Sequence, residues 1–450
     1  MAAITASLSG FPEWLPAGRV VENHVLDTLR REFELHGFAS IETRAVEPLK
    51  ELLRKGETSK EVYLLSRLAD LGAEGGEGGT DPNRLGLHFD LTVPFARYVV
   101  ENAGHLHFPF RRYQIQKVWR GERPQDGRFR EFTQADIDVV GEGTLAFHHE
   151  VEIPLVMAAA LTKLGIGEFA IHVNNRKAAQ GAYESLGIRD VEGALRAIDK
   201  LAKIGPAGVQ AELEALGDVN PAAAQAAIEL AGITGTEGIS AAARAVVEKA
   251  GGVVSELMEQ GLAELEELLA AASERAPGVV VADLSVARGL DYYTGSVYET
   301  FLVGHESLGS ICSGGRYDSL ASDGKRTYPG VGMSIGVSRL VSRMLSADLA
   351  SASRQVPSAV LVAVTDEAER AASDAVAVEL RKRAIPCEVS PSAAKFGKQI
   401  RHADRRGIPF VWFPGTGEVK DIRSGEQVAA DPRTWEPPAQ DWWPTVVANG

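Results

Sequence analysis

Apolar residues recur at every fourth position in Val21, Val25, Leu29 and Phe33, the stripe of an amphipathic helix, and Gly37 supplies its stop. Residues 38–43 then read as a strand, and Pro48 opens a further segment. Between residues 113 and 141 the period becomes two. The run YQIQKVWRGERPQDGRFREFTQADIDVVG reads as strand, loop, strand, with the turn formers Pro124, Asp126 and Gly127 in the loop. On the return strand Arg130, Phe132, Gln134, Asp136 and Asp138 share one face, and Thr133, Ala135, Ile137 and Val139 share the other. A strand that is apolar on one side and carries arginine, an aromatic, an amide and two carboxylates on the other builds a site on a sheet. The plain alternative is a solvated outer face, but such faces seldom concentrate arginine beside an aromatic and two carboxylates.

From about residue 176 to 276 the composition shifts to alanine, leucine and glutamate with helical spacing, as in ALRAIDKLAKI and GLAELEELLAAA. Strand-like segments with site-type residues resume on both sides, so this stretch reads as a helical insertion. After Pro357 the pattern alternates: a strand at 359–364, a helix to about Arg383, a strand at 387–389, a helix near 397–406 and a strand at 409–413. That alternation predicts a small α/β domain with a largely parallel sheet. The expected organisation is a core in two parts (1–175 and 277–350), the insertion (176–276), the α/β domain (358–430) and an irregular Pro- and Trp-rich tail (431–450). The glycine-rich stretch 72–82 reads as a surface loop, because its glutamates would repel phosphate and no GKS/T follows it. No internal repeat is visible.

Composition narrows the class. The 450 residues, at roughly 150 per domain, suggest two to four domains. Hydrophobic residues at 45% and charged residues at 24% exclude a disordered or fibrous chain. No run approaches the roughly 18 apolar residues of a membrane span, and the first sixteen residues lack the features of a secretory signal. Two cysteines, Cys312 and Cys387, suit a reducing compartment, so a cytoplasmic setting without membrane attachment is expected. The net charge of −14 argues against nucleic-acid binding through the overall field. Arginine nevertheless clusters at Arg111, Arg112, Arg120, Arg123, Arg128 and Arg130, and basic residues cluster again at Lys395, Lys398, Arg401, Arg405 and Arg406. An acidic chain that gathers arginine in two places is expected to bind anions there.

Three further segments carry candidate chemistry. In SVARGLDYYTGSVYET (285–300), Arg288 and Asp291 flank a short apolar step and Tyr292–Tyr293 follow; the arginine and carboxylate could equally pair with each other. In SGGRYD (313–318), paired glycines would let a ligand approach the backbone closely. In YPGVGMSIGVSRL (328–340), small residues lead into a helix with Arg339 in its first turns, a ready phosphate site. The run His148–His149–Glu150 is not read as a metal site, since adjacent residues point different ways.

Together RGERP at 120–124, GRFREF at 127–132, ARGLDYYTG at 287–295, SGGRYD and GVGMSIGVSRL resemble the histidyl-tRNA synthetase family of class II aminoacyl-tRNA synthetases, over nearly the whole chain. The resemblance implies an α+β class II synthetase core, an antiparallel sheet flanked by helices, with a helical insertion and a C-terminal α/β anticodon-binding domain. It implies ATP-dependent attachment of histidine to tRNA through a histidyl-adenylate, with ATP as substrate, Mg²⁺ bridging its phosphates, and a homodimer through motif 1. By the same resemblance, Arg120 and Arg288 act at the reacting carboxylate and α-phosphate. Arg120, Glu122, Arg128, Phe132 and Arg339 bind ATP, with Phe132 stacked on adenine. Asp90, Leu91, Thr92, Gln134, Asp138, Tyr292, Tyr293 and Tyr317 bind histidine. Arg123 and Gln125 meet the acceptor end of tRNA, and Lys395, Lys398 and Arg401 lie on the RNA side of the C-terminal domain. His88 stands where members usually carry arginine, and residue 138 is Asp where some carry Glu.

The rival of a different class is the histidine-sensing regulatory subunit of ATP phosphoribosyltransferase, which makes no adenylate. Such proteins usually lack the anticodon-binding domain and lose phosphate-binding arginines, whereas Arg120, Arg288 and Arg339 are all present here together with residues 358–430. An RNA-sensing module would need a fused partner domain.

Overall fold

The computed structural model describes residues 8–55, 61–68, 84–125, 127–287 and 292–448. The loop at 72–82, Asp126, Arg288 and Asp291 lie outside the described residues. Contacts divide the chain into two compact units, residues up to 12 with 26–340, and residues 13–25 with 341 onward.

Among the described residues the first unit is built on eleven strands: β1 (Ala39–Ser40), β2 (Val46–Pro48), β3 (Leu85–Leu87), β4 (Phe110–Trp119), β5 (Glu131–Val140), β6 (Phe169–Asn175), β7 (Thr234–Gly235), β8 (Val280–Asp283), β9 (Tyr293–Leu302), β10 (Cys312–Tyr317) and β11 (Gly330–Gly336). Nine of them form one sheet in the order β1-β4-β5-β11-β10-β9-β6-β8-β7, while β2 and β3 pair separately. The central ladders are antiparallel, as is the edge pair β8–β7, while β1–β4 at the other edge and β6–β8 are parallel. The strand expected over 38–43 shrinks to the two residues of β1 because Ile41 donates a single backbone bond to Tyr113 and the chain then leaves the edge.

The helices of this stretch of chain are α1 (Pro16–Leu35), α2 (Leu49–Leu52), α3 (Thr92–Asn102), α4 (His148–Leu164), α5 (Arg176–Ser185), α6 (Val191–Ile198), α7 (Leu201–Glu214), α8 (Pro221–Ala231), α9 (Ile239–Lys249), α10 (Glu256–Arg275) and α11 (Val337–Ser346). The stripe Val21, Val25, Leu29 and Phe33 on α1 is fully buried, and Gly37 takes a left-handed φ of 77° just past the helix. Helix α4 is apolar almost all round and packs on β5 and β11, which covers the Ala135–Ile137–Val139 side of β5. The stretch 176–276 is helical, as its composition predicts, but it is no detached appendage. Helix α10 packs on α5, α4, β6 and β8, and β7 within this stretch pairs with β8 to extend the sheet.

The second unit carries β12 (Ala350–Ala352), β13 (Val360–Val362), β14 (Cys387–Val389), β15 (Phe410–Phe413), β16 (Glu418–Asp421), β17 (Gln427–Ala429) and β18 (Val446–Ala448), with helices α12 (Arg370–Lys382) and α13 (Phe396–Arg406). Its five-stranded sheet runs β14-β13-β15-β16-β17, parallel over the first three strands and antiparallel over the last two. Alternation decides the layers. Val360 and Val362 join Ala377 and Leu380 of α12 in one core, while Leu361 and Ala363 join Ala403 of α13 in the other. The stretch after residue 431, read as irregular, is tied down. Trp435 sits edge-on to Phe410 and Trp412, Asp441 pairs with Arg423 at 2.8 Å, and β18 pairs with β12. Buried tryptophan area fixes a segment whose backbone has little regular structure of its own.

The glycines of β10 and β11 report how tightly the central sheet is filled. A Cβ on Gly332 would lie 2.2 Å from Asp138 Oδ1, and one on Gly330 would lie 2.5 Å from the Tyr317 ring. Gly332→Ala should therefore destabilise the unit by about 1–3 kcal/mol through overpacking. Gly104→Ala, which meets no atom within 4 Å, is the control. Thermal melts of the two variants check this; equal melting temperatures would show that Asp138 moves aside freely.

Candidate active site

The hairpin β4–β5 sets one polar face. In register, Arg112 stands opposite Asp138, Gln114 opposite Asp136, Gln116 opposite Gln134 and Val118 opposite Phe132. The hairpin loop is closed by a Gln125–Arg128 bridge, in which Arg128 N donates to Gln125 O at 2.9 Å. Gly127 takes a φ of 67°, and a Cβ there would come within 2.9 Å of Leu308. Arg123, Gln125 and Arg128 are exposed at this tip.

Where the hairpin meets β10, β11 and α11, a cleft of about 200 Å³ opens. Arg120, Glu122, Arg128, Phe132, Gln134 and Arg339 all line it, so the five residues expected at ATP converge on one space with Gln134 beside them. The arginines are held by backbone carbonyls. Arg120 Nε donates to Phe89 O at 3.0 Å with its guanidinium 5.1 Å from the Phe132 ring centre, and Arg339 Nε donates to Gly127 O at 2.9 Å while its Nη1 reaches Ser310 O at 2.5 Å. Gly336 and Ser310–Ser313 complete the wall; Gly336 and Ser313 belong to the segments 328–340 and 313–318 read as site-forming, whereas residues 310–312 belong to neither.

Behind the cleft the polar face is buried. Asp138 is 3% exposed; its Oδ1 accepts from the Tyr317 hydroxyl at 2.8 Å, and its Oδ2 lies 2.6 Å from Arg112 Nη2. This is an ion pair off the hydrogen-bond line: among the described residues, Nε, Nη1 and Nη2 of the fully buried Arg112 have no aligned hydrogen-bond acceptor, and its guanidinium lies 4.1 Å from the Phe95 ring centre. Arg112 was missed as a site residue, because only the hairpin register places it against Asp138. Burial raises the Tyr317 and Tyr292 hydroxyls well above the usual phenol value, so both stay protonated donors. The rings of Tyr292 and Tyr293 lie 4.1 Å apart, and Tyr293 is in register with Tyr317.

Asp90, Leu91 and Thr92 open α3. Asp90 is 5% exposed, and its Oδ1 accepts from Val93 N at 3.1 Å, capping the helix. The segment before it is held by His88, whose Nε2 donates to Lys117 O at 2.7 Å, whose ring stacks on Trp119 at 5.6 Å, and whose carbonyl accepts from Trp119 N at 3.0 Å. Burial lowers the His88 pKa, keeping the ring neutral. A neutral imidazole thus anchors this segment at the position where the family resemblance leads to an expectation of arginine. The paired glycines Gly314 and Gly315 do not face a ligand: Cβ atoms there would lie 2.0 Å from Gly332 O and 2.8 Å from Ser296 O, so neighbouring strands occupy that space. The run 148–150 points two ways. His149 Nδ1 faces Glu152 at 3.2 Å, while Glu150 accepts from Ser296 N at 2.9 Å and from Arg316 at 2.7 Å. In the second unit Lys395, Lys398, Arg401 and Arg405 lie exposed along α13 and its N-cap, whereas Arg406 is drawn to Glu388.

A largely antiparallel sheet carrying an arginine-lined cleft, joined in sequence to an α/β unit, is the architecture of a class II aminoacyl-tRNA synthetase. The histidyl-tRNA synthetase family model matches residues 10–340, and an anticodon-binding domain model matches residues 358–429. The chain belongs to the histidyl-tRNA synthetase family. It is 62% identical over 454 residues to the histidine–tRNA ligase of Micrococcus luteus, and 57% identical over 455 residues to that of Cutibacterium acnes, covering 98% of each chain in both cases. Among solved structures it is similar to histidyl-tRNA synthetase from a Nostoc species, at 36% identity and a TM-score of 0.81, covering 94% of this chain and 96% of that one.

Burial pushes the Asp136 carboxyl up to about 7; Arg112 and Ser334 oppose the rise, and Asp138 and Asp90 add to it. An acid whose folded pKa lies above its unfolded value of about 3.9 binds extra protons when folded, so its contribution to stability is fully present below that value. It is lost as pH rises toward 7. Asp136→Asn cannot ionise and should flatten unfolding stability between about pH 4 and pH 7. Denaturant melts across that range check the sign, and parallel curves for the two proteins would refute it.

Proposed function

We propose that this chain joins histidine to its cognate tRNA in two steps within the cleft. The carrying observation is the convergence of Arg120, Arg128, Arg339 and Phe132 on one space, with Gln134 leading from it to the buried Asp138. In the first step a histidine carboxylate oxygen attacks the α-phosphorus of ATP, and the bond to the departing pyrophosphate breaks. Both reactants are anions, so the site must cancel charge and align the attack. Guanidinium forks suit phosphate oxygens and contribute about 1.5–3 kcal/mol for each charge-assisted bond. Arg128 and Arg339 hold the outer phosphates, Arg120 the α-phosphate and carboxylate, and the Phe132 ring carries the adenine. In the second step a terminal ribose hydroxyl of tRNA attacks the activated carbonyl and AMP leaves.

Histidine is read at both ends. Asp90 and Thr92, with Leu91 between them, and Gln134 meet the ammonium end. Asp138 and Tyr317, flanked by Tyr292 and Tyr293, meet the imidazole. A carboxylate offers about four acceptor sites, so Asp138 can hold Tyr317, Arg112 and an imidazole N–H together. An apolar amino acid would leave a buried carboxylate without its third partner, which is costly. Glu122, the carboxylate among the described lining residues, fits a Mg²⁺ that arrives on the phosphates and keeps most of its waters. That ion supplies further neutralisation of phosphate charge. Arg123 and Gln125 at the exposed hairpin tip suit the tRNA acceptor end, and the row on α13 suits its anticodon arm. We further assign a homodimer through the N-terminal helix segment and a cytoplasmic setting, with which the buried free thiols Cys312 and Cys387 agree.

Histidine-dependent exchange between ATP and pyrophosphate tests the reading. Exchange should require histidine and no tRNA; histidine binding without exchange would favour the regulatory reading. Arg288→Ala should lower adenylate formation by about 10²–10³, as for other groups that stabilise charge developing in the transition state. Single-turnover kinetics would relocate Arg288 if transfer to tRNA, and not activation, failed. Replacing Lys395, Lys398 and Arg401 together by glutamate should raise the KM for tRNA at least tenfold, about 1.4 kcal/mol, and leave exchange intact. Unchanged charging would remove α13 from the RNA surface.

A further inference from the structure

Beside Gln134 lies a hydrogen-bond relay that none of the roles above uses. On the antiparallel pair β5–β11, Ser334 stands directly opposite Asp136, with Gly336 opposite Gln134. Ser334 Oγ donates to Asp136 Oδ1 in a very short contact, and Gln134 Nε2 donates to the same Oγ at 2.5 Å. A hydroxyl has a single hydrogen to give. An ionised Asp136 can only accept, so it takes that hydrogen and leaves Ser334 with lone pairs alone toward Gln134. The carboxamide must then turn its NH₂ to Ser334 and its Oε1 away.

Gln134 lines the cleft yet is 8% exposed, and its Oε1 is a buried acceptor without a hydrogen-bond partner among the described residues. The cross-strand neighbour is turned elsewhere: Gln116 Nε2 donates to Thr43 O and Gln116 Oε1 accepts from Gln114. Gln134 lies between Phe132 at the nucleotide end and Asp138 in the depth of the sheet, so the substrate donor nearest to it is the ammonium beside the reacting carboxylate.

We propose that Ser334 and Asp136 are positioning residues that fix the polarity of the Gln134 carboxamide, so that it offers an acceptor and not a donor to the ammonium of the amino acid. This rests on the reading of Gln134 as an amino-acid contact. The relay has a direction that one proton reverses. A protonated Asp136 donates to Ser334, the hydroxyl hydrogen swings to Gln134, and the amide turns its NH₂ toward the ammonium, which repels it. Burial sets the Asp136 pKa near 7. The groups facing it are Arg112 on β4, Asp138 on β5, Asp90 ahead of α3, Tyr292 ahead of β9, Cys312 on β10 and Ser334 on β11.

The test is histidine-dependent pyrophosphate exchange on the full chain at about pH 8, where a carboxyl of pKa near 7 is ionised. Ser334→Ala should raise the histidine KM by roughly tenfold or more, the loss expected for a misdirected hydrogen bond to a charged group. The KM for ATP and kcat should change much less. Ser334→Thr, which keeps the hydroxyl, should restore the histidine KM, and Asp136→Ala, which removes the acceptor of the hydroxyl hydrogen, should reproduce the Ser334→Ala effect. Two inhibitors separate polarity from packing. Histidinol has the ammonium and should bind Ser334→Ala more weakly, whereas imidazolepropionate lacks it and should bind both proteins alike. The ratio of mutant to wild-type histidine KM cancels the substrate's own titration and should fall toward one as pH drops below 7.

An unchanged histidine KM in Ser334→Ala, with a raised KM in Gln134→Ala, would overturn the relay and keep Gln134 as a contact. An unchanged KM in both would show that the Gln134 reading itself is wrong. Equal weakening of both inhibitors would assign Ser334 to packing and overturn the proposal.

Discussion

Arg112 and Asp138 meet 2.6 Å apart inside a sheet where neither could stand alone, and much of the first unit is arranged around that pair. Desolvating two charges costs several kcal/mol per ion, and removing either partner from such a pair typically costs about 3–5 kcal/mol. The surroundings meet that demand from several elements. Tyr317 on β10 donates to the carboxylate, Phe95 on α3 presents its ring to the guanidinium, and β11 offers glycines at 330 and 332 so that the side chains can lie against its backbone. Such a pair is weak evidence for stability. Its presence makes sense as a preorganised anchor, a carboxylate held rigid beside an arginine-lined cleft.

The electrostatics of the chain follow the same division. An overall charge of −14 keeps the surface acidic, while arginine is spent where carboxylate and phosphate must come together. Arg120 and Arg339 are held by carbonyl oxygens, and carbonyls orient a guanidinium without cancelling its charge. Carboxylates appear instead behind the cleft, at Asp90, Asp136 and Asp138, where the proposed function would have an ammonium and an imidazole N–H read. The second unit repeats the principle on a small scale, with a basic row exposed on α13.

Much of this was legible because strands alternate and helices repeat. The face Phe132–Gln134–Asp136–Asp138 follows from a period of two, and the buried stripe on α1 follows from a period of four. What sequence could not supply was adjacency between strands far apart in the chain. Arg112 gains its meaning only opposite Asp138, and Ser334 only opposite Asp136, 198 residues away. The same limit misled the reading of Gly314 and Gly315, whose open space is filled by neighbouring backbone and not by ligand. The strands β16 and β17 escaped notice because they are short and half exposed, and the final segment looked irregular because its tryptophans act through tertiary burial.

The central claim is that the buried carboxylate at position 138 selects histidine through its side chain. Calorimetric titration of L-histidine and of ATP into the wild-type chain and Asp138→Asn tests it most directly, because asparagine keeps the shape and the Tyr317 contact but loses the charge. The account predicts histidine binding weakened by at least tenfold, about 1.4 kcal/mol, with ATP binding nearly unchanged. Equal weakening of both ligands in a folded variant, or no change in either, would contradict it.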